Sequence, residues 1–352
     1  MRLTYVHKSI LKIVILLFCF TASAQVSFTE KYQSTQLSSV EKFTIDFRDS
    51  LDNEISLPVV IIRGKEAGPT LTVLAGVHGY EYPPIIAVQE ILKEIVPEQL
   101  SGTLILSPVT NTGAFYGRAL FINPADGVNL NRSFPGDSQG TVTQQIAHYI
   151  TTNIIPVSDV FLDIHGGDAS EDLVPFVCYY NHEGKSAQTA LAAVLSERSG
   201  FPNVVSYPYT LKDSEPAKYV FKQAVQDGKV GLSFEAGLLG NVQEGAVALN
   251  KNGIYNVMRE LGMYETDLVL PTVLNRYNDQ VYVRVPQQGI FYSNLRAGDR
   301  VDKDQEIGYI TDEFGEKLEK IKAPASGLIL YKIGTPPVKT GETLMCIGIP
   351  EE

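Results

Sequence analysis

The sequence predicts a mixed α/β fold with a mainly parallel sheet flanked by helices, followed by a small all-β module. Three observations predict it. From about Leu57 to Met263, short β-branched runs alternate with helical runs, the pattern of strand–helix–strand units whose sheet is covered on both faces. Beyond Asn278 the helical period stops, and short strands between turn residues remain. The 352 residues suffice for one large domain and one small one.

The elements follow in order. Pro58–Ile62 and Leu71–Leu74 are apolar runs bounded by glycine and proline, so both are predicted strands. Pro84–Ile95 carries Ile85, Val88, Ile91, Leu92 and Ile95 at helical spacing, and Pro97 stops it. Leu104–Leu106 is a short strand, and Thr143–Ile155 a helix ending at Pro156. Val160–Ile164 and Phe176–Tyr180 are strand-like, and Gln188–Arg198 is helical. A helix is expected over Pro216–Val225, with proline in its first turn, then a strand at Val230–Phe234 and a helix at Ala246–Leu261 closed by Gly262. Leu268–Asn278 has no clear period and is expected to be a linker.

The first residues carry a different signal. Arg2, Lys8 and Lys12 precede the unbroken apolar stretch Ile13–Phe20, and Ala22-Ser23-Ala24 has the small-residue cleavage pattern. That stretch is short for spanning a bilayer. Residues 1–24 are therefore expected to be a signal peptide, with a periplasmic or secreted destination and no stable membrane insertion after cleavage. Cys19 lacks the small residues expected before a lipidated cysteine. The remaining chain divides into an expected catalytic domain, 25–275, and the β-rich domain, 276–352.

Composition narrows the function. With 44% hydrophobic and 20% charged residues the chain is globular in type. Removing three basic and no acidic residues with the signal takes the net charge from −11 to −14. That argues against nucleic acid and anionic membrane surfaces as partners. Cys178 and Cys346 are the cysteines left; one pair makes no disulfide framework, and both are expected to be buried structural thiols. An oligomer is compatible with all of this.

Histidine is scarce, and its placement is informative. His78 and Glu81 lie in "LAGVHGYEYPP", directly after the strand Leu71–Leu74, where glycines on both sides of His78 allow a sharp turn. Their i, i+3 spacing at a strand end can turn both side chains toward one metal. His165 ends Val160–Ile164 in "FLDIHGGD", again before glycines. Two imidazoles and one carboxylate, with a position left for water, form the ligand set of a catalytic zinc site. Asp163 shares the face of His165 on the strand, where it can either orient a ligand histidine or pair with a neighbouring backbone group.

Asn111–Gly136 is a long segment with little helix or strand period, and such segments in compact domains are usually functional. It holds Arg118, Asn131 and Arg132; a guanidinium beside an amide suits a substrate carboxylate. Glu235 ends the strand Val230–Phe234 in "VGLSFEAG", where a base for water activation is expected.

"GVHGYE", "NLNRSFPG", "DIHGG" and "FEAG", in this order, resemble the succinylglutamate desuccinylase/aspartoacylase family of the zinc carboxypeptidase superfamily. The resemblance runs from Pro58 to the C-terminus. It implies a zinc carboxypeptidase-like fold and one Zn2+ per chain on His78, Glu81 and His165. It makes Glu235 the general base, Asn131 and Arg132 the carboxylate-binding pair, and Arg118 the arginine that binds substrate or polarises the scissile carbonyl. The family also uses a tyrosine, for which Tyr207 and Tyr209 are among the candidates. "LRAGDRVDKDQEIGYI" and "IKAPASGLILYKI" resemble a biotinyl/lipoyl-type half-barrel. A carrier domain presents a lysine at its hairpin tip, but here Asp312–Glu316 is acidic and Lys317 lies past the turn, so a structural barrel is expected.

The expected function is hydrolysis of an amide bond in a small carboxylate-bearing substrate, such as an N-acyl amino acid. A peptidase acting on peptides or cell-wall fragments shares the same metal site. A non-catalytic zinc-dependent binding protein is disfavoured by Glu235, since a binder needs no base there.

Overall fold

The computed structural model describes residues 27–351; the expected signal peptide lies outside them. Helix α1 (Phe28–Ser34) precedes β1 (Ser39–Arg48), β2 (Glu54–Arg63), β3 (Glu66–Ala75), α2 (Tyr82–Glu94) and β4 (Ser101–Ser107). Next come α3 (Thr112–Tyr116), α4 (Val142–Tyr149), β5 (Val160–His165), β6 (Glu171–Leu173), β7 (Phe176–Asn181) and α5 (Ser186–Arg198). The chain continues through β8 (Asn203–Pro208), α6 (Val220–Gln226), β9 (Val230–Glu235) and α7 (Glu244–Glu260). The remaining strands are β10 (Asn275–Arg284), β11 (Gly289–Tyr292), β12 (Arg300–Val301), β13 (Glu306–Thr311), β14 (Lys317–Lys322), β15 (Gly327–Ile333), β16 (Pro337–Val338) and β17 (Thr343–Pro350).

The main sheet runs β1-β2-β4-β3-β5-β9-β7-β8-β10-β17-β15-β12, with β6 added to β15. At its centre β4, β3, β5 and β9 are parallel neighbours, as the alternation of strands and helices predicts. Every residue of β5 is buried, which requires helices on both faces. Leu71, Val73, Leu162, Ile164, Leu232 and Phe234 belong to the core shared with α2, α5 and α7. Phe161 points the opposite way, into the core of α4 and α6. By the two-residue period of a strand, Asp163, His165 and Glu235 stand on the Phe161 face.

The β-rich end continues the main sheet rather than standing off on a linker. Asn275–Tyr277 of β10 pair in parallel with Asn203–Val205 of β8, so the expected linker is ordered strand from Asn275 onward. β15 also pairs with β6 from the catalytic region, through Tyr331–Leu173, Lys332–Asp172 and Ile333–Glu171. A second sheet, β14-β13-β11-β16, closes over a core that includes Phe291, Ile310, Ile329 and Ile347. The hairpin tip ends in an exposed Phe314, and the Asp312 carboxylate accepts from the backbone of Phe314 and Glu316.

Two helices differ from expectation. α6 starts at Val220 instead of Pro216, because Lys218 has φ +70° and its backbone bridges Phe134, which holds that stretch extended. The α4 helix widens into a π-helical turn at Ile150–Ile154 and tightens to a 3-10 turn around Pro156. Cys178 and Cys346 are both buried and free. Strands β8 and β10 separate them, a span of about 14 Å that no disulfide crosses. Among the described residues no helix is long and apolar enough to cross a membrane.

Candidate active site

Three adjacent parallel strands deliver the site. The chain leaves β3 at Gly76, whose φ of +65° suits glycine, and turns through His78 into the start of α2. Gly79 allows the turn to pass under the neighbouring segment, since a Cβ there would lie 2.3 Å from the carbonyl oxygens of Ala114 and Ala119. Glu81 is the N-cap of α2, and prolines occupy its first turn without loss of a hydrogen bond. The adjacent helix N-terminus favours the Glu81 carboxylate. His165 is the last residue of β5 and Glu235 the last of β9, and they are register partners.

Glu81 bridges the two imidazoles. Its Oε1 is 2.7 Å from His78 Nδ1, and its Oε2 is 2.7 Å from His165 Nδ1. One ligand atom from each of His78, Glu81 and His165 can be chosen so that all lie within 4.8 Å of one another. On the far side of its ring, His165 Nε2 is 2.9 Å from Asp163 Oδ2. That carboxylate faces the ring away from the cluster, as in metal sites where a second carboxylate orients the ligand histidine.

The charges are strongly coupled. Burial works to raise the Glu81 carboxyl, but His78 and His165 outweigh it and hold it at about 2. Burial works to lower His165, yet Asp163 and then Glu81 lift it well above the ordinary histidine range. A divalent cation could join the same buried donors. His78 Nε2 is buried with no hydrogen-bond partner among the described residues. Two nitrogens, one carboxylate oxygen and a supporting carboxylate fit a metal ion of the zinc type.

Asn131 and Arg132 are adjacent but serve different surroundings. Asn131 is buried in the turn Leu130–Arg132, with its Nδ2 3.1 Å from His165 Nε2 and 3.4 Å from Asp163 Oδ2. Its Oδ1 accepts from Val220 N at 2.9 Å, which ties the start of α6 to the site. Arg132 is exposed; its guanidinium donates to the Asn131 carbonyl at 2.6 Å and lies over the Tyr219 ring at 4.4 Å. Arg118 is exposed at φ +49° and forms no ion pair among the described residues.

The two named tyrosines sit away from this end of the sheet. β7 runs antiparallel to β9, so Phe176 faces Glu235, while Tyr207 pairs with Tyr180 four residues along. That offset is roughly 13 Å, and Tyr209 lies beyond it. Tyr219, which the sequence reading did not single out, is the tyrosine that reaches Arg132.

Glu235 is half-buried. Burial pushes its carboxyl well above the usual carboxylate range; His165 opposes this, while Glu81, Glu171 and Asp163 add to it. Glu171 was not anticipated from the sequence. Burial, then Asp168 and Glu81, push it up to about 8, with His165 opposing.

A family model described as the succinylglutamate desuccinylase/aspartoacylase catalytic domain matches residues 67–261. The chain is also 31% identical over 316 residues to an N-alpha-acetyl-L-2,4-diaminobutyric acid deacetylase of Halomonas elongata, covering 87% of this chain and 90% of that one. The chain belongs to the succinylglutamate desuccinylase/aspartoacylase family. Solved desuccinylase/aspartoacylase structures agree with the fold. One from Rhodobacter sphaeroides superposes with TM-score 0.79 at 23% identity, over 90% of this chain and 98% of its own. The product-bound ectoine utilization protein EutE (DoeB) of Ruegeria pomeroyi gives TM-score 0.78 at 26% identity, with the same coverage. The mixed sheet with its flanking helices and added C-terminal β sheet is thus the desuccinylase/aspartoacylase fold.

Proposed function

We propose that this chain is a zinc-dependent deacylase that hydrolyses the amide bond of a small N-acylated amino acid, acting in the periplasm or outside the cell. The observation that carries the reading is the register pairing of His165 with Glu235, which sets a carboxylate base beside the His78–Glu81–His165 donors. The Halomonas elongata relative, named as a deacetylase of an N-acetyl amino acid, supports the choice of reaction. Residues 1–24, outside the described residues, support export by their basic start, apolar stretch and Ala-Ser-Ala pattern.

His78, Glu81 and His165 would hold the zinc, and Asp163 and Asn131 would fix the His165 ring. A zinc ion there supplies Lewis-acid activation of water and of the scissile carbonyl. Glu235 takes a proton from the attacking water and returns it to the departing nitrogen, so amide and water become carboxylate and amine. Arg132, held over Tyr219, offers its exposed guanidinium to the substrate carboxylate. Arg118, on the same segment, is the second cation available to the substrate.

A substrate panel tests the reading. Zinc-loaded protein is expected to release amine from N-acetyl amino acids and to leave short unacylated peptides intact. Arg132→Ala should raise KM about tenfold or more for carboxylated substrates, with a smaller change in kcat. Cleavage of the peptides alone would replace the deacylase with a peptidase.

A further inference from the structure

The turn that carries His78 and Glu81 is held along one side by a single neighbouring segment. Asn111 grips it at Gly76 and Val77, its N and Nδ2 donating to their carbonyls at 2.9 and 3.3 Å. Gly79 N donates to Leu120 O at 3.3 Å. The segment is fixed again at Asn123, whose Nδ2 donates to Thr143 Oγ1 at 3.0 Å and whose N donates to Val128 O at 2.8 Å. Phe121 and Ile122 therefore sit between two anchors, one of them on the residue next to His78. Both are nonetheless exposed, at 46% and 41%, and Tyr116 on the same segment is 80% exposed.

Aromatic rings continue from this segment to the metal donors. Tyr116 meets Phe115 edge-on at 5.1 Å between centroids, Phe115 meets Tyr82 at 6.0 Å, and Tyr82 meets Tyr80 at 5.9 Å. Tyr80 and Tyr82 flank Glu81 in the chain. Tyr80 also meets the loop that follows Glu235, since a Cβ at Gly240 would lie 2.9 Å from Tyr80 Cδ1. Arg118 is the one charged residue in 116–123, and 236–243 holds none.

Side chains of this size on an anchored backbone add nothing to the fold by standing in water. Single exposed apolar residues are ordinary, but a group of them joined ring to ring at a reaction centre marks a ligand surface. Its position decides which half of a substrate it serves. Asn131 stands on the Nε2 side of the His165 ring, and Arg132 beside it takes the carboxylate of the amine half. Glu81 and the His78 turn stand on the Nδ1 side. The apolar segment belongs to that second side, toward which the acyl half extends from the scissile bond.

We infer that Tyr116, Phe121 and Ile122 form an acyl-chain subsite, so that the preferred substrates carry a medium-length apolar acyl group rather than acetyl. This rests on the deacylase reading above. Arg132 takes the carboxylate, Glu235 serves the scissile amide, and the apolar segment selects the acyl chain by removing its methylenes from water.

The test offers each amino acid of the substrate panel with straight acyl chains of two, four, six and eight carbons. Wild-type kcat/KM is expected to rise along the series, by about 10²-fold from acetyl to octanoyl. Phe121→Ser combined with Ile122→Ser should lower the octanoyl value about tenfold or more and leave the acetyl value within about twofold. Phe121→Leu combined with Ile122→Leu keeps the surface apolar and should retain the rise. A flat or falling series in the wild type, or equal losses on both substrates in the serine variant, would overturn the subsite while leaving the deacylase intact. A wild-type dimer that the serine variant dissolves, together with a flat series, would give the surface to a second copy instead. If no N-acyl amino acid is hydrolysed, the deacylase falls, and calorimetric binding of octanoate against acetate decides the subsite. Octanoate binding wild type about tenfold more tightly than acetate, with that margin lost in the serine variant, would uphold it; the absence of a margin would sink it too.

Discussion

Replacing His165 with alanine is expected to empty the metal centre and abolish turnover together. The ring supplies one of three donors, and its other nitrogen faces Asp163, a fully buried carboxylate 2.9 Å away. Removing it leaves His78 and Glu81, too few donors for a tight zinc site. It also leaves the buried Asp163 carboxylate without the ring N–H it accepts from, and an unmet buried acceptor costs about 1–3 kcal/mol of stability. Metal content by mass spectrometry should fall from one ion per chain to below about a tenth, and hydrolysis to background. Far-UV circular dichroism checks that the variant stays folded. A folded His165→Ala protein with a full equivalent of tightly held metal would move the site elsewhere.

Glu235→Gln is expected to separate metal binding from catalysis. The substitution keeps size and burial but cannot accept a proton, so kcat should fall about 10²- to 10⁴-fold while metal content stays at one per chain. The pH profile adds a sign. Burial and the carboxylates of Glu81, Glu171 and Asp163 hold the Glu235 carboxyl above its ordinary range, against the pull of His165. A base works only when ionised, so wild-type kcat/KM should decline as pH falls through that raised value. Zinc, like His165, acts to lower it. The residual rate of Glu235→Gln should lack this acid limb. Near-normal turnover in the variant would remove Glu235 as the base.

The sequence carried the centre of the site more clearly than its walls. His165 and Glu235 end apolar, β-branched strands and His78 and Glu81 follow one, with His78 and His165 each directly before a glycine, so local pattern marks them. Parallel order then gathers those ends at one edge of the sheet. Asn131 and Arg132 were read as one unit because they are consecutive. The 3-10 turn that holds them advances about 120° per residue, which sends one amide to His165 and the next guanidinium to the surface. Glu171 escaped notice because β6 is three residues long and its partner Ile333 lies far along the chain. β8 was missed for a related reason: its register is set by β7 and β10. With β8 unassigned, the start of β10 looked like a linker.

The central claim is that His78, Glu81 and His165 hold a metal on which hydrolysis depends. Its most direct measurement is the metal content of the purified protein, taken with its activity on an N-acetyl amino acid before and after chelation. One zinc per chain is expected, with loss of activity on removal and recovery when one equivalent of zinc is returned. Metal-free protein hydrolysing the substrate at the undiminished rate would contradict it.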